Sequence, residues 1–437
     1  MAHSSPLCIG PLRIGVAGLG TVGGGTLGIL LEKKAMVAAR AGRPLEVVAV
    51  CARDKGKDRG VDMSGIQWVD SPLALANDPD IDVVVELIGG SDGIAKELVE
   101  TALKNGKSVV TANKALIAHH GIALATLAEQ SGALLAFEAA VAGGIPIIKA
   151  LRDGLAANQF KRIAGIMNGT CNYILTTMWE SKRQFDDVLA EAQKLGYAEA
   201  EPSFDIDGID TAHKLAILTS LAYGCAPAID QVYVEGIRGV SLRDMEAAAE
   251  LGYTIKLLGI ATQTENGIEQ RVHPCMVASD SPLGTVHGVY NAIVTQGDSV
   301  GSVFFEGRGA GAGPTASSVV ADIMDIARGV AYKPFTLPVS SLENPSFCSV
   351  ESLQCSYYLR LSVIDKPGVL AEVTSIFKNE GISLRSFLQH SHTPGEAVQL
   401  VITTHETEEF AMRKAVDTIG KLASVKEKPY MIRIEPI

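Results

Sequence analysis

The stretch Leu12–Gly23, LRIGVAGLGTVG, decides the fold of the N-terminal part of this 437-residue chain. The segment Leu12–Ala17 is a predicted strand, and the glycine pattern G-x-G-x-x-G follows it directly and opens a predicted helix. The first glycine permits a tight turn, and the second lets a pyrophosphate approach the amides at the helix N-terminus. A glycine-rich turn without a ligand is the alternative. The predicted dinucleotide contacts are Gly18, Gly20, Thr21, Val22 and Gly23.

Four further apolar segments follow and alternate with helical segments such as 94–105 and 114–131. They comprise residues 45–51, 81–87, 107–111 and 133–137. Strands that are apolar throughout and alternate with helices indicate a parallel sheet covered on both faces. Residues 1–148 are therefore predicted to form a Rossmann-type, doubly wound α/β domain.

The remainder of the chain consists of four segments that differ in sequence pattern. Longer amphipathic helices and alternating strands predict an α+β domain over 149–310, followed by a helix over 311–331 that returns to the first domain. Residues 332–354 are rich in proline and serine and are predicted to be a linker. Residues 355–437 are predicted to follow the order βαββαβ, which is that of a ferredoxin-like unit. One of the predicted strands covers residues 383–390.

Composition excludes several classes of function. The net charge of −11, the scattered basic residues and the 5% aromatic content argue against a nucleic-acid or membrane partner. The seven cysteines, including Cys8, are odd in number and contain no CxxC pair, so no disulfide framework or zinc site is predicted. The N-terminus does not read as a signal peptide, and no apolar run is long enough for a membrane helix. We expect a cytoplasmic protein.

The residues after the second strand bear on the choice of nicotinamide cofactor. An acidic residue at this strand end would bind the ribose 2′-hydroxyl of NAD. Here Arg53, Lys55 and Lys57 follow the strand and suit the 2′-phosphate of NADP, whereas Asp54 leaves NAD open. NADP is the favoured cofactor.

The acidic stretch EPSFDIDGIDTAHK, residues 201–214, is a second candidate site. An EF-hand calcium loop is excluded, since its fifth and twelfth positions would fall on Ile209 and Ala216. Helix capping by Asp207 and Asp210 is one interpretation. However, Asp210 and Lys214 are spaced i,i+4 on one face of an apolar helix, where a lysine is costly unless paired or functional.

The motifs together resemble homoserine dehydrogenase over almost the whole chain. The stretches that carry the resemblance are GLGTVGGG, ELIGG, VVTANKAL, FEAAVAGGIPII, GIMNGTCNYIL, LGYAEAEPSFDIDGIDTAHKLAIL and GRGAGAGPTAS. The C-terminal IDKPGVLAEVTSIFKNEGISLRSF resembles an ACT domain, a small-molecule sensor. The resemblance implies that 149–310 is a catalytic and dimerisation domain.

The resemblance also implies an activity, the NAD(P)-dependent interconversion of L-aspartate 4-semialdehyde and L-homoserine in threonine, methionine and isoleucine biosynthesis. Lys214 matches the family's general acid–base, and Asp210 matches its partner beside the substrate hydroxyl. Glu199 matches the acid that binds the substrate amino group, and Asp205 a second substrate contact. Lys114, which the residues alone leave open as a surface lysine, matches a lysine between cofactor and substrate.

Further expectations follow from the same resemblance. Gly313 matches a loop residue near the nicotinamide, although this chain has GAGAGP where GAGGxP is common. A monovalent cation such as Na⁺ is expected at a largely backbone site, formed by Glu138, Val141, Gly143 and Ile145. Threonine is the expected inhibitor at the ACT domain, unless that domain serves only dimerisation, and a homodimer or homotetramer is expected. The alternative function is an NADP-binding, ACT-regulated sensor without dehydrogenase activity.

Overall fold

The computed structural model describes residues 10–389 and 395–437. Cys8 and the end of the strand predicted over 383–390 lie outside these residues. The described chain divides into two compact units. The first contains residues 10–163, 213–230 and 291–345, and the second contains 164–212, 231–290 and 346–437. The bounds proposed above for the individual domains stay predictions.

The N-terminal part of the first unit is a six-stranded parallel sheet. Its strands are β1 (Leu12–Ala17), β2 (Leu45–Cys51), β3 (Gln67–Trp68), β4 (Val83–Glu86), β5 (Ser108–Thr111) and β6 (Leu135–Ala136). Its helices are α1 (Thr21–Glu32), α2 (Lys34–Ala41), α3 (Pro72–Asn77), α4 (Ile94–Lys104) and α5 (Lys114–Ser131). The strand order is β3-β2-β1-β4-β5-β6, so successive strands are added on one side of β1 up to β3 and on its other side from β4 onward. Dinucleotides bind at such a topological switch point. The predicted doubly wound parallel sheet is confirmed.

The middle of the chain contributes helices and long strands to both units. The helices are α6 (Ile147–Lys149), α7 (Gly169–Ser181), α8 (Phe185–Lys194), α9 (Ser203–Ile206), α10 (Ile209–Tyr223), α11 (Leu242–Glu250) and α12 (Ala312–Ala327). The strands are β7 (Phe160–Ile166), β8 (Tyr233–Val234), β9 (Tyr253–Thr264), β10 (Gly267–Ala278), β11 (Tyr290–Gly297) and β12 (Gly301–Arg308). In the first unit α12 packs on α1, and its Val319 and Ile323 share a core with Ile14 and Val16 of β1.

The C-terminal part of the second unit has the predicted βαββαβ order, with one additional short strand. It contains β13 (Gln354–Ile364), α13 (Val369–Asn379), β14 (Leu384–Leu388), β15 (Ala397–Thr404), β16 (Thr407–Glu408), α14 (Glu409–Ile419) and β17 (Tyr430–Ile434). The strand order β17-β13-β15-β14 is antiparallel throughout. On its other side β17 pairs in parallel with β10, so the small sheet continues into the β9–β10 hairpin.

Among the described residues, no helix is both long and apolar enough to span a membrane.

Candidate active site

The glycine turn after β1 has the geometry that a dinucleotide site requires. Gly18 has φ +94°, and a Cβ there would lie 2.4 Å from the carbonyl oxygen of Leu87. A Cβ on Gly23 would lie 2.0 Å from the carbonyl oxygen of Gly18, so α1 can approach the turn only because Gly23 lacks a side chain. A Cβ on Gly20 would meet nothing within 4 Å, and Gly20 precedes the first turn of α1. The amides of that turn can therefore receive a phosphate.

A cavity of about 650 Å³ opens at this turn, beside the ends of β1, β2 and β4. Gly18 and Gly20 line it, together with Arg53, Lys57 and Arg59. The Asp54 carboxylate also lines it, and its Oδ1 accepts a hydrogen bond from the amide of Gly56 at 2.9 Å. The cavity is thus lined by backbone at one side and by guanidinium and ammonium groups near the end of β2.

Arg59 is a cavity residue that the sequence analysis did not identify. Its Nε donates to the carbonyl oxygen of Leu19 at 3.1 Å, and its Nη2 donates to the carbonyl of Asp54. Its guanidinium carbon lies 5.3 Å from the ring centroid of Trp68 on β3. Arg59 therefore ties the glycine turn to the loop after β2, across 40 residues, and no local pattern announces such a contact.

A buried polar network orders the neighbouring strand ends. The Glu86 carboxylate at the end of β4 accepts hydrogen bonds from the amides of Ile88 and Gly89 at 2.7 and 3.0 Å, and from the Thr111 hydroxyl at 2.6 Å. Asn113 caps α5 through Leu116 N and donates to the Gly90 carbonyl at 2.7 Å. These contacts fix the backbone at the start of α5, where Lys114 stands half-buried.

Helix α10 carries the predicted acid–base pair. Asp210 and Lys214 lie one turn apart near its N-terminus, and both are buried, with 3% and 8% of their surface exposed. The neighbouring His213 is also buried, and its Nε2 lies 3.1 Å from Nε2 of His119 on α5.

Asn168, between β7 and α7, brings Asp205 and Asp210 together. Its Nδ2 donates to Oδ1 of Asp205 and to Oδ2 of Asp210, both at 2.8 Å. Asp207 has a different environment, because its carboxylate pairs with Arg238 at 2.5 Å near the surface. Asp205 and Asp210 are therefore clustered around Asn168, whereas the Asp207 carboxylate is paired with Arg238.

Glu199 is exposed, in the segment between α8 and α9. The side chain of Gln193 donates to the Glu199 backbone carbonyl at 3.0 Å. This bond fixes the backbone between α8 and α9 and does not involve the Glu199 carboxylate.

The residues proposed for a cation form a buried, sharply turned loop. Ala142 and Gly143 have φ +54° and +49°, and a Cβ on Gly143 would lie 2.3 Å from the Gly309 carbonyl oxygen. Val141, Gly143 and Ile145 are buried in this loop. The Glu138 carboxylate accepts the amides of Ile148 and Lys149 at 2.9 and 2.8 Å. Burial, with Asp322 nearby, raises the pKa of Glu138 to about 7.

The prediction for Gly313 needs correction. The resemblance places it in a loop, whereas in the structure it lies in the first turn of α12, which begins at Ala312 and falls within the helix predicted over 311–331. The start of this helix packs closely on Gly25 of α1, where a Cβ would lie 2.6 Å from the Ala312 carbonyl oxygen. The close approach of these two helix segments therefore requires a residue without a side chain at position 25.

Comparison with known proteins identifies the family. Residues 18–138 match the NAD-binding domain of homoserine dehydrogenase, residues 146–324 match its catalytic domain, and residues 357–424 match the ACT domain. A homoserine dehydrogenase from Pseudomonas aeruginosa is 45% identical over 416 residues, which cover 93% of this chain and 95% of the relative. The chain belongs to the homoserine dehydrogenase family.

Solved structures of homoserine dehydrogenases share the fold. The enzyme from Thiobacillus denitrificans is 44% identical and superposes with a TM-score of 0.93, covering 98% of this chain and 99% of its own. A hyperthermophilic archaeal homoserine dehydrogenase in complex with NADPH is 31% identical, with a TM-score of 0.64, and covers 74% of this chain and 99% of its own. The chain is therefore an oxidoreductase of this family, with a nicotinamide-binding domain and an ACT domain.

Proposed function

We propose that this homoserine dehydrogenase reduces L-aspartate 4-semialdehyde to L-homoserine with Lys214 as the general acid. The observation that carries the proposal is the pair formed by Asp210 and Lys214, both buried and one turn apart on α10. A sensor without catalysis, the alternative function, has no need of an acid–base pair on a buried helix.

The proposed chemistry uses this chain's own residues for charge and orientation. The nicotinamide, when bound, supplies the hydride that adds to the aldehyde carbon. The Lys214 ammonium stabilises the negative charge that develops on the carbonyl oxygen and transfers a proton to it, which leaves a neutral amine. Asp210 orients the lysine and the substrate hydroxyl. Asp205 and Glu199 bind the substrate ammonium and Lys114 its carboxylate, which are both on Cα, so that the aldehyde at the opposite end of the substrate faces the hydride donor.

Substitution of Lys214 tests the assignment. We expect Lys214→Ala to lower kcat by about 10²–10⁴-fold, because the general acid is lost, and to leave the Kd for NADPH unchanged. NADPH oxidation with the semialdehyde and NADPH fluorescence titration measure the two quantities. Lys256→Met, which removes another buried lysine, is the control and should retain turnover. Near wild-type kcat in Lys214→Ala would disprove the role of Lys214.

We propose NADP as the preferred cofactor. Arg53, Lys57 and Arg59 line the cavity beside the end of β2, and Asp54 accepts a hydrogen bond from its own loop. A charge-assisted hydrogen bond to a phosphate contributes about 1.5–3 kcal/mol, so Arg53→Ala should raise the KM for NADPH about 10–100-fold and change that for NADH little. An equal effect on both cofactors would assign Arg53 another role.

We propose that the turn at Glu138, Val141, Gly143 and Ile145 binds a monovalent cation through backbone carbonyls, which are ligands that hard cations take. The sharp φ values of this turn and the buried Glu138 carboxylate support a positive ion there. Activity in NaCl or KCl should exceed activity in tetramethylammonium chloride at equal ionic strength. Equal activity in all three salts would remove the cation from the proposal.

We propose feedback inhibition by threonine at the ACT domain and assembly as a homodimer or homotetramer. Inhibition is tested by titrating L-threonine against NADPH oxidation, and the absence of inhibition would leave the domain a structural role. Assembly is supported by the exposed apolar side chains of Val300, just before β12, and Phe304, within β12. Light scattering coupled to size exclusion measures the mass, and a monomer would contradict the assembly.

A further inference from the structure

Asn168 lies where the two clustered aspartates meet, and its side chain contacts both. We propose that Asn168 is a positioning residue for the dehydrogenase reaction: its single amide group sets the spacing and direction of Asp205 and Asp210 for the substrate. The inference rests on the proposed function, since those two aspartates are assigned to the substrate there.

The contacts of Asn168 use its whole side chain. The amide nitrogen donates one hydrogen to Asp205 Oδ1 and one to Asp210 Oδ2, each at 2.8 Å. Its Oδ1 accepts the amide of Cys171 at 2.8 Å and so caps α7. Only 4% of Asn168 is exposed. The side chain is therefore fixed by α7 at one end and directs both donors toward the carboxylates.

Charge explains why an amide is needed at this position. Each of the two carboxylate oxygens lies 2.8 Å from the same amide nitrogen, so the distance between the two oxygens is at most twice that value. At so short a distance, two negative charges in a buried site repel strongly. A neutral NH₂ group donates one hydrogen bond to each carboxylate and holds the two together without adding a charge of its own. A lysine or arginine would also bridge them, but it would add a positive charge to the site.

Backbone contacts also fix the position of the segment that carries Asp205. Asp205 lies in α9, whose Ile206 carbonyl accepts the amide of Ile237 at 2.8 Å. The Sγ of Cys171, one turn into α7, lies 3.3 Å from the Asp205 carbonyl oxygen. The segment that carries Asp205 is thus held at its backbone, and Asn168 directs the carboxylate itself.

The test compares two isosteric substitutions on one helix. Asn168→Asp keeps the cap of α7 but replaces the two donors with a third carboxylate. Asn172→Asp is the matched control: Asn172 is equally buried and donates to the backbone carbonyls of Val286 and Tyr290. At pH 8 we expect Asn168→Asp to raise the KM for L-homoserine at least tenfold and to lower kcat/KM about 10²-fold, with the Kd for NADPH within twofold of wild type. The control should retain the wild-type KM.

A pH series separates positioning from general damage. A buried carboxyl beside two carboxylates has a raised pKa and, once protonated, donates one hydrogen bond. The deficit of Asn168→Asp relative to wild type should therefore shrink from pH 8 to pH 6. Asn168→Ser, which keeps a capping oxygen and adds no charge, should show a deficit that stays constant with pH.

The outcomes are distinct. If wild type fails to turn over L-homoserine, the proposed function is wrong. If wild type is active and Asn168→Asp keeps the wild-type KM, Asn168 is merely structural and the inference is overturned. The same conclusion follows if Asn168→Asp loses only kcat and thermal stability, and to the same extent as Asn172→Asp.

Discussion

The half-buried Lys149 and the buried Lys256 differ in the charge of their surroundings. Lys149 in the first unit pairs with Asp322 at 3.1 Å and Asp325 at 2.5 Å; burial alone would lower its pKa, but the two carboxylates raise it. Lys256 on β9 donates to the Val286 carbonyl and to Asn172 Oδ1, which are both neutral. Burial therefore lowers the pKa of Lys256 to about 8, against a weak opposing effect of Glu180.

The stability of the protein should depend on pH through Lys256. Between about pH 8 and 10.5 the unfolded chain holds a proton that the folded chain has released, so the contribution of Lys256 to stability rises with pH. Relative to Lys256→Met, wild type should gain up to about 3 kcal/mol between pH 7 and 10.5. Urea denaturation of both proteins at each pH measures the difference, and a difference that is independent of pH would contradict the lowered pKa.

Sequence reasoning found residues at the site whose spacing is local and missed those whose partners are distant. Asp210 and Lys214 were recognised from their i,i+4 spacing on an apolar helix. Asn168 lies in GIMNGTCNYIL, a stretch that carries the family resemblance, but no role was assigned to it, because its partners are 37 and 42 residues away. Arg59 was missed for the same reason, because its partner Leu19 is 40 residues away.

Among the elements, α1 shows how closely local sequence and packing cooperate. Three consecutive glycines, Gly23, Gly24 and Gly25, lie in its first turns, where glycine lowers helix stability. Gly23 and Gly25 are required by close contacts with Gly18 and Ala312, whereas a Cβ on Gly24 would meet nothing within 4 Å. Only two of the three glycines therefore have a packing reason.

Two neighbouring alanine substitutions should have opposite effects. Gly23→Ala places a methyl group 2.0 Å from the Gly18 carbonyl oxygen, so we expect a loss of NADPH binding and a lower melting temperature. Gly24→Ala should raise stability by up to about 1 kcal/mol through helix propensity and leave NADPH binding intact. Thermal denaturation and fluorescence titration give both values. Similar behaviour of the two variants would contradict the packing argument.

Elements with a strong pattern were predicted well. The bounds of β1, β2 and α5 agree with the sequence prediction, and the first sheet has the predicted parallel order. The two-residue strands β3 and β16 were missed, since two residues carry no periodicity. They pair because longer neighbours, β2 and β13, already present an edge.

At the scale of the whole molecule, a buried ion pair connects the ACT domain with the rest of the second unit. Arg433 on β17 is fully buried and donates to Glu409 Oε2 on α14 at 2.8 Å and to Glu235 Oε2 at 3.0 Å. Burial alone would raise the pKa of Glu409, but hydrogen bonds and charge from Arg433 hold it below its usual value. Because β17 also pairs with β10, the domain is joined to its unit by both backbone and charge.

Removal of one partner from this pair should be more damaging than removal of both. We expect Arg433→Met to lower stability by about 3–5 kcal/mol, since the buried Glu409 carboxylate loses its buried charged partner and retains the partly exposed Arg413. Adding Glu409→Gln should recover part of that loss. Arg413→Ala is the control: it contacts the same carboxylate at 2.7 Å, but its side chain is 39% exposed, so the loss should be about 1 kcal/mol. Urea denaturation compares the four proteins, and equal losses for both arginines would exclude burial as the cause.

The sequence by itself determined the strand–helix alternation, the glycine turn, the ferredoxin-like order and the resemblance to homoserine dehydrogenase, because each of these is written in residues that are near one another in the chain. Tertiary structure alone decided that Asn168 joins two aspartates and that Arg59 ties the glycine turn to the loop after β2. Each of these depends on contacts between segments far apart in the chain, where hydrogen-bond geometry and close packing, rather than local pattern, select the neighbour.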